Sequence, residues 1–208
     1  MVVNRREMVA GSRVVIMDDV IPLDFLDNLR QEIKGGGWSI NDSIAFNSAK
    51  SPSDDWTDNV PFIKCLDHVA FAERILWKNL ENIVRTEFAT ESLIPYDVSY
   101  NSGRPGDSPW EHQDGFTPGV TDITLIAYMN ATWDKNWAGE TVYYDGEDIA
   151  LSVLPKPGRM VVHDAMVNHA ARPPTIAMEE NMRFTLAIKC TDSRKYYEER
   201  MKQEREMQ

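Results

Sequence analysis

The segment SPWEHQDGFTPG, residues 108–119, sets a histidine and an aspartate two apart in a chain that has only four histidines. In an extended strand, residues i and i+2 point to one side, so His112 and Asp114 would aim an imidazole nitrogen and a carboxylate oxygen at one point. Those are two donors of a metal site, and a third must come from another strand facing the same interior. The candidates are His163 and His169 in GRMVVHDAMVNHAARPP; His163 ends a strand-like run and His169 follows a short turn. Two imidazoles and a carboxylate suit Fe(II) and leave coordination positions open for other molecules. The absence of cysteine from the set weighs against a structural zinc. An isolated His-x-Asp also occurs as a hydrogen-bonded turn, so the surrounding elements must carry the argument.

Those elements fall into two halves. SRVVIMDDVI reads as a strand and PLDFLDNLRQEIKGGG as a helix, opened by Pro22, striped by Phe25, Leu26 and Leu29, and stopped by Gly35 to Gly37. From Trp38 to Asn59 the chain is polar and turn-rich, too long for a simple connection and of the kind that forms lids or binding loops. The apolar spacing of Ile63, Leu66, Val69, Ile75, Leu76, Leu80 and Ile83 predicts a second helix from about Val60 to Phe88. Beyond residue 92 the pattern changes to short β-branched and aromatic runs, IPYDVSYNS, TDITLIAYMNA, GETVYYD, IALSVLP, GRMVVHD and MRFTLAIKC, punctuated by Pro-Gly and Asp-Gly turns. Strands of this spacing suggest a sandwich or jelly roll. The last segment, SRKYYEERMKQEREMQ, reads as a solvated terminal helix.

The bulk properties exclude several classes. With 208 residues, no repeat and no low-complexity linker, one domain is the expectation. A net charge of −11 without a basic run argues against a nucleic-acid surface. No window is apolar enough for a signal peptide or a membrane span, so no membrane partner and a cytoplasmic location are expected. Cys65 and Cys190 lack CxxC spacing and read as buried thiols.

The stations after the His-x-Asp come in a telling order: Tyr128 with Asn130, Trp133 and Trp137, Gly139-Glu140, Pro157 and Gly158, His169, then Arg183 with Thr185. In that order they resemble the catalytic half of the 2-oxoglutarate/Fe(II)-dependent dioxygenase superfamily, in its prolyl 4-hydroxylase-like branch, over about residues 94–190. The resemblance implies an α+β, mainly β fold: a double-stranded β-helix (jelly roll) at about 93–192, a supporting strand and helices at about 12–90 packed on one sheet, and a helical tail at 193–208. It implies His112, Asp114 and His169 as iron ligands, the last because HAARP matches the family's pattern after its third ligand. His163 stands where the family usually has phenylalanine or another large residue, and reads as a partly buried core histidine.

The co-substrate implied is 2-oxoglutarate, used with O2 and with ascorbate as a candidate reductant. Its far carboxylate needs a cation, and an arginine fork is the natural partner. Arg183 is the candidate, with Thr185 on the same side of the strand and Tyr128 and Tyr100 as hydroxyl donors. Arg159 and Arg172 read as lying at the barrel mouth. The chemistry implied is decarboxylation of 2-oxoglutarate to succinate coupled to hydroxylation of a C–H bond; an aspartate at 114, where a halogenase needs a smaller residue, favours hydroxylation. A prolyl residue in a peptide or protein is the first-choice substrate, with the 38–59 loop and NSGRPGDSPW as groove walls and Trp56, Trp110 and Arg172 as substrate contacts. The alternatives are a same-fold oxygenase of a free amino acid or other small molecule, and a non-catalytic cupin-like module that binds metal or sugar. Oligomeric state leaves no mark on the sequence.

Overall fold

The computed structural model describes residues 2–40, 62–107, 110–115, 117, 119–175 and 182–207. The chain starts with an antiparallel pair, β1 (Val2–Val9) and β2 (Ser12–Asp18), followed by helix α1 (Leu23–Lys34) and a short strand β3 (Ser39–Ile40). Next come β4 (Phe62–Leu66), helices α2 (His68–Ala72) and α3 (Ile75–Phe88), β5 (Ile94–Gly103) and β6 (Asp122–Tyr128). The remaining elements are β7 (Thr141–Asp145), β8 (Asp148–Val153), β9 (Met160–Asp164), β10 (His169–Ala171), β11 (Arg183–Thr191) and helix α4 (Arg194–Met207). Eight strands form one antiparallel sheet in the order β1-β2-β9-β6-β11-β5-β4-β3, and β10-β7-β8 form a second. This is the expected jelly roll, mainly β with helices on one sheet.

Strand alternation gives the large sheet two unlike faces. On the outer face Val15, Met17, Leu125, Ala127, Met160, Val162, Leu186 and Ile188 are buried beneath Leu26, Leu29 and Ile33 of α1 and Leu76, Trp77, Leu80 and Val84 of α3. Both helices carry the apolar stripe that such a face demands. On the inner face Val14, Ile16, Tyr128 and Val161 pack against Tyr143, Leu151 and Val153 of the small sheet. The rest of the inner face holds the polar residues taken up below.

The sequence reading needs correction at several points. The helix predicted from Val60 to Phe88 is instead strand β4, short α2 and α3. Ile63 and Leu66 have helical spacing, but β4 adds to the free edge of β5, and this non-local pairing outweighs a local periodicity. Asp67 then caps α2, accepting hydrogen bonds from the Val69 and Ala70 backbone N–H groups at 2.9 and 3.0 Å. Strand β1 had no place in the reading and covers the edge of β2. Cys190 is buried, but Cys65 is exposed on β4, the strand next to the edge of the sheet. Helix α4 is docked as well as solvated: Tyr196 is buried and its hydroxyl donates to Asp122 at 2.9 Å beside the Tyr96 hydroxyl, which donates at 2.7 Å. Among the described residues no helix is long and apolar enough to cross a membrane.

Candidate metal centre

The backbone brings the His-x-Asp segment and strand β10 into register. His112 and His169 form an antiparallel bridge in which each N–H donates to the other's carbonyl, both at 3.0 Å. Two residues on, the N–H groups of Asp114 and Gly115 both donate to the Ala165 carbonyl at 2.9 Å. The segment is thus stapled at both ends to the β9–β10 connection, which holds the side chains of His112, Asp114 and His169 in one small volume. Their ligand atoms all lie within 4.8 Å of one another. Nε2 of His169 is 3.5 Å from Asp114 Oδ2, and Nε2 of His112 is 3.8 Å from Asp114 Oδ1.

Hydrogen bonds set the tautomers. His112 Nδ1 is 2.9 Å from the Trp110 carbonyl and His169 Nδ1 is 3.1 Å from the Val167 carbonyl. A carbonyl accepts only, so each Nδ1 carries the proton and each Nε2 presents a lone pair, as a metal ligand must. Burial pushes His169 down to about 3, and the attraction of Asp114 offsets part of that, so its imidazole is neutral. Burial alone would raise the Asp114 carboxyl; the Lys189 ammonium, ahead of the neighbouring histidines, holds it well below the usual carboxylate range. Neutral imidazoles and an ionised carboxylate are the protonation states that bind a divalent cation. Thr124 on β6 donates its hydroxyl to Asp114 Oδ2 at 2.8 Å and orients it.

Further buried polar side chains share the inner face with these residues. Arg183, 4 % exposed, donates from Nε to the Gly139 carbonyl at 2.7 Å and from a terminal nitrogen to Thr141 Oγ1 at 2.9 Å. Its guanidinium lies 5.2 Å above the Tyr128 ring. Burial pushes the Arg183 guanidinium below its ordinary range, and among the described residues no carboxylate lies within ion-pair distance of it. Gly139 makes the approach possible, because at φ 78° a Cβ there would fall 2.6 Å from the Trp133 ring and 3.4 Å from Arg183 Cδ. Two buried polar atoms at this end, Tyr143 OH and His163 Nε2, have no hydrogen-bond partner among the described residues. The Tyr143 ring stacks on His169 with centroids 5.9 Å apart and meets the His163 ring edge-on at 5.3 Å. A buried guanidinium and a buried hydroxyl beside the candidate triad are donors suited to a carboxylate.

The structure sorts the other predicted residues. Thr185 shares the inner face with Arg183 and pairs with Tyr128 across β6. Tyr128 reaches that face with its ring, while its hydroxyl is already engaged with Thr141 Oγ1 at 2.8 Å and the Val153 carbonyl at 3.1 Å. Tyr100 does not belong to this group. It pairs with Leu186, so its side chain lies on the outer face, where the hydroxyl donates to Glu32 at 3.0 Å. Arg159 is engaged with Asp18 at the end of the neighbouring β2, its Nε 2.7 Å from Oδ1. The side chains of Arg172 and Trp110 are exposed, and Trp110 joins the site through its carbonyl. Trp56 and most of the 38–59 loop lie outside the described residues. His163 is fully buried, 4.6 Å from the His169 ring. Sequence reasoning passed over Thr124, Thr141, Tyr143 and Lys189; the period-two alternation through Arg183, Thr185 and Ala187 would have reached Lys189 with one further step.

A jelly roll that closes a two-histidine, one-carboxylate set over a buried arginine defines a class of non-haem iron protein. Residues 98–188 match the family model described as the 2OG-Fe(II) oxygenase superfamily, and that segment contains all three candidate ligands and Arg183. Over that segment the chain is similar to that superfamily, and its structural neighbours include prolyl 4-hydroxylases. A prolyl 4-hydroxylase from Pseudomonas putida superposes with a TM-score of 0.56 at 14 % identity, covering 86 % of this chain and 91 % of that one. An oxidoreductase of the 2OG-Fe(II) oxygenase family from Burkholderia pseudomallei gives 0.63 at 12 % identity, covering 86 % and 85 %. A prolyl hydroxylase from Trichoplax adhaerens, solved with a hypoxia inducible factor peptide fragment, gives 0.56 at 16 % identity, covering 86 % and 83 %. At these identities the likeness is one of fold. No curated protein gives a significant match to the sequence.

Proposed function

We propose that this protein is a single-domain Fe(II)- and 2-oxoglutarate-dependent dioxygenase that hydroxylates a C–H bond, with a prolyl residue of a peptide or protein as its substrate. The observation that carries the reading is the joining of two features on one face of the sheet: three ligand atoms within 4.8 Å of one another, and a buried Arg183 that has no carboxylate partner among the described residues. His112, Asp114 and His169 would hold the iron. When bound, iron and 2-oxoglutarate together supply the activation of O2, with succinate and CO2 as co-products. The chain's own residues bind and shield. Arg183 takes the far carboxylate of the co-substrate through its planar fork, Thr185 and the Tyr143 hydroxyl donate to the same end, and Tyr128 supports the guanidinium from beneath. Val14, Ile16 and Val161, packed with Tyr128 and Tyr143, would keep water from that end of the site.

The prolyl assignment rests on the branch that the motifs resemble and on neighbours of that kind, one of them solved with a peptide. A second reading, a polar small molecule such as a free amino acid, is favoured by the charged residues Lys189 and Asp97 beside Asp114. Cytoplasmic location and ascorbate as reductant belong to the same proposal. The test is mass spectrometry of proline-rich peptides and free amino acids after incubation with Fe(II), 2-oxoglutarate and ascorbate. A gain of one oxygen on a peptidyl proline supports the first reading, and a gain on free amino acids alone supports the second. In parallel, Fe(II)-loaded protein is titrated anaerobically with 2-oxoglutarate; bound iron without any visible charge-transfer band would leave a cupin-like binding module.

A further inference from the structure

The carboxylate of Asp114 is gripped on both oxygens. Thr124 donates to Oδ2 at 2.8 Å, while the ammonium of Lys189 lies 3.2 Å from Oδ1 and also 3.2 Å from Oδ2 of Asp97. The side chain of Asp114 is 6 % exposed, that of Lys189 24 % and that of Asp97 32 %, so the three form a file from the buried ligand to the solvent edge. Strand pairing enforces it: Lys189 sits across from Asp97 on β5 and across from Thr124 on β6, all on the inner face. Burial disfavours the ammonium, but attraction to Asp114 and then to Asp97 more than offsets this and keeps Lys189 charged. A cation so close to a metal-binding carboxylate is unusual, because it competes with the metal for the same negative charge.

The two oxygens are therefore unequal. An oxygen that accepts from an ammonium has less electron density to give than one that accepts from a hydroxyl, and a divalent ion on the same side would meet the ammonium's repulsion. Oδ2 is also the oxygen nearer His169 Nε2, at 3.5 Å. We propose that Lys189 is a positioning residue of the metal site, which occupies Oδ1 of Asp114, confines that carboxylate to one coordinating oxygen and lowers the site's affinity for divalent ions. Asp97 anchors the ammonium from the solvent side. This rests on His112, Asp114 and His169 being the ligands.

The test uses Co(II) as the probe, without co-substrate, and reads visible absorption and affinity in the wild type, Lys189→Met, Lys189→Gln and Lys189→Arg. Lys189→Met frees Oδ1 to coordinate, so Co(II) binds about tenfold more tightly and the d–d absorption weakens as the coordination number rises. Lys189→Gln keeps a hydrogen-bond donor without the charge; it gains affinity but retains the wild-type band. Lys189→Arg keeps both properties of the wild type. If Lys189→Met fails to fold, the comparison of Gln with Arg still decides. Affinity and spectrum unchanged in the Met and Gln variants, or affinity reduced in them, overturn the proposal and leave Lys189 as a partner of Asp97. Failure of the wild type to bind Co(II) overturns the ligand reading itself, which separates the two failures.

Discussion

The two faces of the eight-stranded sheet are built from the same strands but satisfy opposite demands. Along β11, Leu186 and Ile188 on one side complete an aliphatic layer under the helices, while Arg183, Thr185 and Lys189 on the other are polar or charged. On the outer face the buried aliphatic side chains lie under α1 and α3. Among the described residues the inner face keeps an arginine with no carboxylate in ion-pair distance, a tyrosine hydroxyl with no hydrogen-bond partner and two histidine Nε2 atoms beside the Asp114 carboxylate. Buried polar groups left in that condition cost stability, so the difference marks which face was shaped by folding and which by binding.

Substitutions should therefore separate cleanly by face. Asp114→Ala carries the largest effect: turnover is lost and Fe(II) affinity falls by at least about 100-fold, beyond what loss of a supporting residue does, while circular dichroism stays that of the wild type. Leu186→Ala breaks the other side, since a fully buried leucine cut to alanine costs about 2–5 kcal/mol in denaturant unfolding, yet the folded fraction binds Fe(II) as before. If Leu186→Ala changes metal affinity as strongly as stability, the two faces are not independent.

Asp18 sharpens the contrast, because it too is a buried aspartate but a fully answered one. Asn4 donates to it at 2.7 Å, Lys156 at 2.7 Å and Arg159 at 2.7 and 3.2 Å. Burial would raise its carboxyl, but the bonds from Arg159 and Lys156 outweigh burial and drive it far below the usual range. Between that depressed value and the ordinary one near 3.8, the unfolded chain binds a proton that the folded chain does not. Stability from Asp18 is thus present above about pH 4 and is lost as the pH falls below it. Asp18→Asn should flatten the acid limb of a stability–pH curve without altering metal binding, and an unchanged limb would assign the acid sensitivity elsewhere.

What the sequence made legible follows the range of the interactions. The His-x-Asp pair, His169 and the Arg183–Thr185 pair were readable because period-two alternation is local and the motifs keep their order. Tyr100 was misplaced because its face depends on register: pairing with Leu186 and not Thr185 sends it to the helices. Strand β4 was read as helix because the edge of β5 that recruits it is far away in sequence. Lys189 gained meaning only when β5, β6 and β11 closed side by side and set it between two aspartates. Pairwise spacing along the chain carries the candidate ligands, and sheet register carries their surroundings.

The smallest expected effect is the most discriminating. Tyr143 is fully buried, and its hydroxyl has no partner among the described residues, while its ring stacks on His169. Were it an ordinary core tyrosine, Tyr143→Phe would remove an unsatisfied polar atom and keep the packing, so stability would hold or rise by up to about 1 kcal/mol. In the proposed function the same change removes one donor to the co-substrate's carboxylate, and a single hydrogen bond to a charged group is worth about 1.5–3 kcal/mol, or roughly 10- to 150-fold in affinity. The expected outcome is a protein at least as stable as the wild type whose dissociation constant for 2-oxoglutarate, measured by calorimetry on the Mn(II)-loaded form, rises about tenfold with metal affinity unchanged. A hydroxyl that costs stability and serves binding is the inner face's character reduced to one atom, and a Tyr143→Phe protein that binds 2-oxoglutarate as the wild type does would remove Tyr143 from the site's donors and leave Arg183 and Thr185 to hold that carboxylate alone.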